Sequence, residues 1–383
     1  MITERKKIDF IDLKAQQRRI RTSIEDRIKK VMDHGAYIMG PEIAELEEKL
    51  ARYVGVKHCI GCASGTDALL LPLMAYNLGP GDVVFTSPFT FIATAEVVAL
   101  LGASLVFVDI DPHTYNIDPK KLEDAVVKFL KVSSGKKAKG VIPVDLFGQP
   151  ADYDAISVIA KKHGLFVLQD AAQSFGATYK GKKAGSLGDV AATSFFPAKP
   201  LGCYGDGGAI FCNDDAIAEK LRSLRVHGQG SDKYDNVRIG INGRLDSIQA
   251  AVLLAKMEIF DEEIILRNSV ASRYTEKLKG AVGTPFVRDD CSSVWAQYSI
   301  LVPERANVMS KLKRAGVPTA IYYPKPLHLQ EAFRSLGYRH GDFPVSERIA
   351  DSIFSIPMHP YLSHEDQDYI VNAIVGSWNS TTE

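Results

Sequence analysis

The most chemically pointed feature of this sequence is a lysine held between two prolines. In Thr193-Ser194-Phe195-Phe196-Pro197-Ala198-Lys199-Pro200-Leu201-Gly202 it follows directly on an apolar run, a poor setting for a solvated charge. Desolvation lowers an amine's pKa toward the neutral, nucleophilic form that Schiff-base chemistry requires. On local grounds a structural lysine fits the same place. Asp170 stands where another apolar run ends, in LFVLQDAAQS, with Gln173 one turn later. A carboxylate there serves either as a helix N-cap or as the counter-ion of a cationic ligand. Ala63-Ser64-Gly65-Thr66-Asp67-Ala68 opens a helix after a turn of small residues. Its free N–H groups and positive dipole end suit a phosphate, although an ordinary cap has the same composition. Pro72 falls within that helix and must kink or shorten it.

Other routes to chemistry find little support. No G-x-G-x-x-G follows a strand and no G-x-x-x-x-G-K-[ST] occurs, which removes the common nucleotide-cradling loops. Gly205-Asp206-Gly207-Gly208 precedes a strand instead and reads as a tight turn beside a ligand. There is no G-x-S-x-G elbow and no H-E-x-x-H. Cys59 and Cys62 form a C-x-x-C, but no second pair or histidine partner follows at zinc-like spacing, so they read as buried structural thiols.

The elements that must position these residues follow an α/β pattern. Apolar runs at Asp82–Thr86, Ser104–Val108, Gly140–Val144 and Leu165–Gln169 alternate with amphipathic stretches at Thr90–Leu101, Lys120–Phe129 and Ala155–His163. Such alternation predicts parallel βαβ units with helices on both faces. Ala191–Phe195 and Gly208–Cys212 are two more strands on a short connection, which makes an antiparallel pairing expected. Ligands of open sheets bind beyond the carboxyl ends of the strands. The residues to inspect are therefore Ser87 to Phe91, Asp145, Asp170, and Ser194 with its successors.

From Leu245 to Leu278 apolar residues recur at helical spacing without proline or glycine, predicting one long helix across a domain junction. Beyond it come shorter strands (Ala296–Val302, Pro318–Tyr323) and helices (Ala306–Ala315, Glu347–Ile353, Glu365–Trp378). The boundary falls near Asp261, giving domains of residues 1–260 and 261–383.

The 383 residues are 46% hydrophobic and 24% charged, with 46 basic against 46 acidic side chains, a globular composition with no basic footprint for nucleic acid or an anionic membrane. The Lys-rich stretch Lys128–Lys139 reads as a solvated surface excursion. No run approaches the roughly 20 apolar residues of a membrane span, and MITERKKIDFIDLKAQQRRI lacks a signal peptide's apolar core. The five cysteines suit a reducing cytoplasm.

Taken together, an anion-binding helix start, the aromatics Phe89 and Phe91, a strand-end Asp, a Ser and then the Lys resemble the fold-type I pyridoxal-phosphate enzymes. More narrowly, the chain is similar to the DegT/DnrJ/EryC1/StrS family of nucleotide-sugar aminotransferases. The resemblance runs from about residue 8 to 375 through ASGTDAL, PFTFIATA, DIDPHTYNIDP, QDAAQSFGA, SFFPAKPLGCYGDGGAIF, INGRLDSIQAAVL and IPMHPYL. It implies an aspartate aminotransferase-like fold: a large domain on a mixed, mostly parallel sheet, and a small C-terminal α/β domain. The wording of PLGCYGDGG, HGQ and RLDSIQAA is closest to the branch that aminates C3 of UDP-2-acetamido-2-deoxy-3-oxo-glucuronate, for surface polysaccharide or O-antigen synthesis. A dTDP-3-oxo-6-deoxyhexose aminotransferase is the alternative, and a non-catalytic regulator on the same fold the more distant one.

By the same resemblance Lys199 holds pyridoxal phosphate covalently and then acts as general base and acid. Asp170 pairs with the pyridine nitrogen. Gln173 reaches the ring's O3′, Phe91 stacks on the ring, and Gly65, Thr66 and Ser194 hold the phosphate. Asn242 reaches the phosphate of the other subunit, so the active site requires a homodimer. Arg244 offers a bidentate fork to the sugar's carboxylate, and Tyr323 contacts substrate. Plainer roles stay open: a core aromatic for Phe91, a turn Asn for Asn242, a salt bridge to an Asp for Arg244. Glutamate as amino donor is a family expectation. The chain departs from the family at Tyr322-Tyr323-Pro324, where many relatives have His-Tyr-Pro. A lysine at 199 argues against the dehydratase branch, which has histidine there.

Overall fold

The structure, a computed structural model, describes residues 7–132 and 135–379. Its centre is a seven-stranded sheet of β1 (His58–Cys62), β2 (Asp82–Thr86), β3 (Ser104–Phe107), β4 (Lys137–Ile142), β5 (Phe166–Asp170), β8 (Val190–Ser194) and β9 (Gly208–Cys212). Between β5 and β8 the chain makes a small hairpin, β6 (Thr178–Tyr179) with β7 (Lys182–Lys183). The spatial order is β1-β9-β8-β5-β4-β2-β3. Strand β9 runs against both its neighbours and the other pairings are parallel, so the antiparallel element falls where the short connection placed it.

Burial on both faces explains the nearly unbroken apolar runs of these strands. Alternate residues feed opposite layers. Ile60, Val84 and Leu168 pack under α3 (Gly65–Ala75), α4 (Ala93–Leu100) and α7 (Asp215–Leu224). On the other face Cys59 and Phe211 pack under α2 (Pro41–Val54) and α8 (Ser247–Met257), while Phe85 and Val167 pack under α5 (Pro119–Val132) and α6 (Tyr153–His163). The same alternation sends Cys59 and Cys62 to opposite faces, and burial pushes both thiols up, away from reactivity. Pro72 is accommodated within α3, which ends three residues later. In the Lys-rich stretch Lys128, Lys131, Lys136 and Lys137 are exposed, and Ser133 and Ser134 lie outside the described residues.

The single long helix expected over Leu245–Leu278 is two. Helix α8 ends at Met257, Ile259 takes non-helical angles (φ −116°, ψ 1°), and α9 runs Phe260–Leu278. The break serves two cores. Leu253, Leu254 and Phe260 fill the layer under the sheet, whereas Val270, Tyr274 and Leu278 enter a second core. That core is completed by β10 (Tyr298–Leu301), antiparallel β11 (Ile353–Ile356), α10 (Arg305–Arg314) and α12 (His364–Asn379). The sequence carries the signal as charge: Lys256 closes one helix, and Asp261, Glu262 and Glu263 open the next, each matching the local dipole.

The strand expected over Pro318–Tyr323 is also corrected. It reduces to one bridge, Ala320 with Ser355, because Pro318 and Pro324 bound the segment and cannot donate to a ladder. Helix α1 (Leu13–His34), capped by Asp12 and ended by Gly35, had no counterpart in the apolar patterning; it buries Ile20 and Ile24 against Val252 and Ala255 of α8. Ile8, ahead of it, sits in the second core. Helix α11 (Pro344–Ser352) precedes β11.

Candidate active site

The site is built at the carboxyl ends of β5 and β8 and the start of α3. Ser64 caps α3 by accepting from Asp67 N (3.0 Å), which leaves the N–H groups of Gly65 and Thr66 without intrahelical acceptors. Ser194 ends β8 directly against this turn. A Cβ added to Gly65 would lie 2.6 Å from Ser194 Cβ and 2.9 Å from its Oγ. Only glycine lets the serine hydroxyl and the helix N-terminus meet at one corner. This is a corner for a small anion.

Asp170 ends β5 and is buried. Its Oδ2 accepts from Thr94 Oγ1 (2.8 Å) and its Oδ1 from Ala172 N (3.2 Å). Burial raises its pKa; those two hydrogen bonds and the nearby Lys199 oppose the rise. Lys199 sits in a tight turn, its N–H bonded to Phe196 O (2.8 Å), and burial lowers its pKa while Asp170 pulls the other way. Among the described residues its amine has no hydrogen-bonding partner. A desolvated, unpartnered amine facing a buried carboxylate fits a covalently held pyridine cofactor with a cationic ring nitrogen.

The remaining wall is aromatic. Tyr323 is partly buried with its ring 6.3 Å from those of Phe89 and Phe91, and Phe91 itself is 55% exposed. Gln173 Nε2 donates to Tyr323 Oη (3.2 Å), and Gln173 Oε1 accepts from Phe147 N (2.8 Å). Phosphate corner, amine, carboxylate, amide and aromatic wall together fit pyridoxal phosphate. Gly65, Thr66 and Ser194 could hold its phosphate, Lys199 could anchor it covalently, and Asp170 could pair with the ring nitrogen.

Two expected residues lie apart in this chain. Asn242 is exposed, and Arg244 Nε donates to its Oδ1 (3.0 Å). Among the described residues Arg244 has no carboxylate partner, so the salt bridge to an Asp is absent. Their loop is tied to the start of α3 by Ala63 N to Gly243 O (3.0 Å). Two contributors carried no sequence signal: Thr94, which turns a helical hydroxyl onto Asp170, and the backbone of Phe147. Asp145, in sequence only a strand-end acid, is fully buried and holds four hydrogen bonds that oppose burial, which pushes it up to about 6.

Comparison with known proteins is consistent with this geometry. A family described as the DegT/DnrJ/EryC1/StrS aminotransferase family matches residues 18–375. The chain is 53% identical over 356 residues to a Pseudomonas aeruginosa protein named UDP-2-acetamido-2-deoxy-3-oxo-D-glucuronate aminotransferase, covering 93% of this chain and 96% of that one. It is 46% identical to a pleiotropic regulatory protein of Geobacillus stearothermophilus, covering 96% and 97%. A crystal structure of a DegT DnrJ EryC1 StrS aminotransferase from Brucella abortus superposes with TM-score 0.94 at 52% identity, covering 96% and 99%.

Proposed function

The chain belongs to the DegT/DnrJ/EryC1/StrS aminotransferase family and is a pyridoxal-phosphate-dependent aminotransferase; from that premise we propose that it moves an amino group from glutamate to the 3-keto carbon of UDP-2-acetamido-2-deoxy-3-oxo-glucuronate. The observation that carries the reading is the desolvated Lys199 amine set against buried Asp170. When bound, the cofactor supplies an electron sink for the substrate carbon being deprotonated. Asp170 holds a proton on the ring nitrogen. Lys199 Nζ, whose pKa desolvation lowers against the pull of Asp170, would take a proton from one carbon and return it to another. Gln173 and Tyr323 orient, and Phe91 covers the ring face.

The acidic sugar is favoured by likeness to the Pseudomonas aeruginosa protein and by an Arg244 fork that meets no carboxylate among the described residues. The product serves surface polysaccharide synthesis, in the cytoplasm. No helix among the described residues is long and apolar enough to cross a membrane. The working unit is a homodimer in which Asn242 reaches the partner's phosphate. Exposed apolar side chains crowd the flanks of that loop: Ile239 is 89% and Tyr234 84% exposed, and Ile38, 50% exposed, pairs with Asp246. A division into residues 1–260 and 261–383 draws on the second core, which apart from Ile8 comes from beyond residue 260, although Leu327, Phe333 and Phe343 of that part pack with Ile60 and Val84 in the layer against the large sheet.

The regulator reading draws on likeness to the Geobacillus stearothermophilus protein, but a pure scaffold has no use for Lys199, Asp170 and Ser194 together. The test is a panel of 3-oxo nucleotide sugars with glutamate, scored by mass spectrometry. We expect amination of the UDP-linked acid, lost in Lys199→Ala and lowered at least tenfold in kcat/KM by Arg244→Ala, since a charge-assisted hydrogen bond contributes roughly 1.5–3 kcal/mol. Preference for a neutral dTDP-linked 6-deoxy sugar would replace the acidic substrate. Absence of any turnover would favour the regulator.

A further inference from the structure

We propose that Asp145, behind the site and touching none of the cofactor's presumed atoms, is a positioning residue that dictates which end of the Gln173 amide faces the cofactor. The inference rests on the reading of Gln173 as a cofactor contact. A carboxylate has about four acceptor positions, and here all are used. Oδ1 accepts from Ala151 N (3.0 Å) and Tyr153 Oη (2.8 Å). Oδ2 accepts from Gln169 Nε2 (2.7 Å) and Ser174 Oγ (2.7 Å). The four donors come from the loop after β4, the start of α6, strand β5, and the residue next to Gln173.

Two things are fixed by this. The bond to Ser174, with Asp145 N donating to Asp170 O (3.0 Å), locks the Asp170–Ser174 turn onto the end of β4. The bond to Ala151 N closes the loop 145–151 at its base. That loop needs closing because it holds unfavourable backbone: Phe147 lies in the left-handed region at φ 59°, and Gly148 is at φ 116° where a Cβ would come within 2.7 Å of Trp295 N. In that conformation Phe147 N–H points at Gln173 Oε1 (2.8 Å). With its carbonyl anchored on an N–H, the amide must turn its NH2 the other way, toward Tyr323 and the site. A flip would set two donors face to face. Asp145 thus decides that Gln173 offers a donor rather than an acceptor.

The experiment is a double-mutant cycle of Asp145→Asn with Gln173→Ala. It is read as pyridoxal-phosphate affinity of the apoprotein and as the pH midpoint of the bound cofactor's absorbance, with apoprotein melting as the check on folding. An amide at 145 must set its NH2 against a donor that cannot accept, either Ala151 N–H or Gln169 Nε2. We expect each single change to weaken affinity at least tenfold and to shift the midpoint, and the double variant to resemble Gln173→Ala within twofold. Multiplying effects, or no midpoint shift in Asp145→Asn, would overturn the inference while leaving Gln173 a contact. No effect of Gln173→Ala would instead overturn the contact reading, and this inference with it. Should Asp145→Asn fail to fold, Tyr153→Phe and Ser174→Ala each remove one donor and run the same cycle, with a smaller coupled loss expected.

Discussion

Gly65 shows how one hydrogen atom in place of a methyl group decides a binding corner. The helix start of α3 and the Ser194 hydroxyl converge only because nothing stands between them. In Gly65→Ala the new Cβ would sit 2.6 Å from Ser194 Cβ, closer than carbon atoms approach, so the helix start or the serine must move. The corner is on the surface of the core, so the cost falls on the ligand more than on the fold. We expect affinity for pyridoxal phosphate to drop at least tenfold with apoprotein melting nearly unchanged. Titration of the apoprotein followed by absorbance checks this, and a change under twofold would remove Gly65 from the phosphate site.

At the scale of elements, the α8–α9 break concentrates charge in a buried place. Lys256 is 1% exposed, and among the described residues its amine has no hydrogen-bonding partner; it lies 4.5 Å from the Tyr204 ring centroid. Burial lowers its pKa from 10.5 to about 8 against the opposing pull of Glu263 and Cys203. Between those two values the unfolded chain holds a proton that the folded chain has released. Stability therefore rises as pH climbs through that window, and below it the full cost of the buried cation is present. Lys256→Met removes the cost and keeps the volume, so we expect a gain of about 1–3 kcal/mol at pH 7, shrinking by pH 10. Urea denaturation at both values measures it. A loss at pH 7 would mean that the contact with Tyr204 outweighs desolvation.

For the whole molecule, the proposed homodimer would cover the exposed apolar side chains around the Asn242 loop. A charge placed there should oppose association, since an aspartate at the centre of an apolar interface is costly to desolvate. Ile239→Asp is expected to shift the protein to monomer in light scattering at assay concentration and to lose cofactor with it. Asn242→Ala is expected to stay dimeric and lose cofactor alone. A fully active monomer would contradict the shared site.

The sheet and its one reversed strand were legible in the sequence because each strand is a short apolar run bounded by turns, a local property. The lysine, the strand-end Asp and the helix start at Gly65 were legible for a related reason: in a parallel sheet, chemistry gathers at strand ends, and strand ends can be read along the chain. The break between Met257 and Phe260 was not read from the apolar spacing, because no proline or glycine marks it and its trace in the sequence is the charge change from Lys256 to Asp261, Glu262 and Glu263, while the demands of two separate cores bend the helix there. Nor was the extent of Pro318–Tyr323, where what the partner strand offers decides the pairing. Thr94 on Asp170, Phe147 on Gln173 and the four donors on Asp145 join residues from 6 to 76 positions apart. Sequence patterning carries which residue types are present, but hydrogen bonds have direction, and direction between distant segments exists only once the chain is packed.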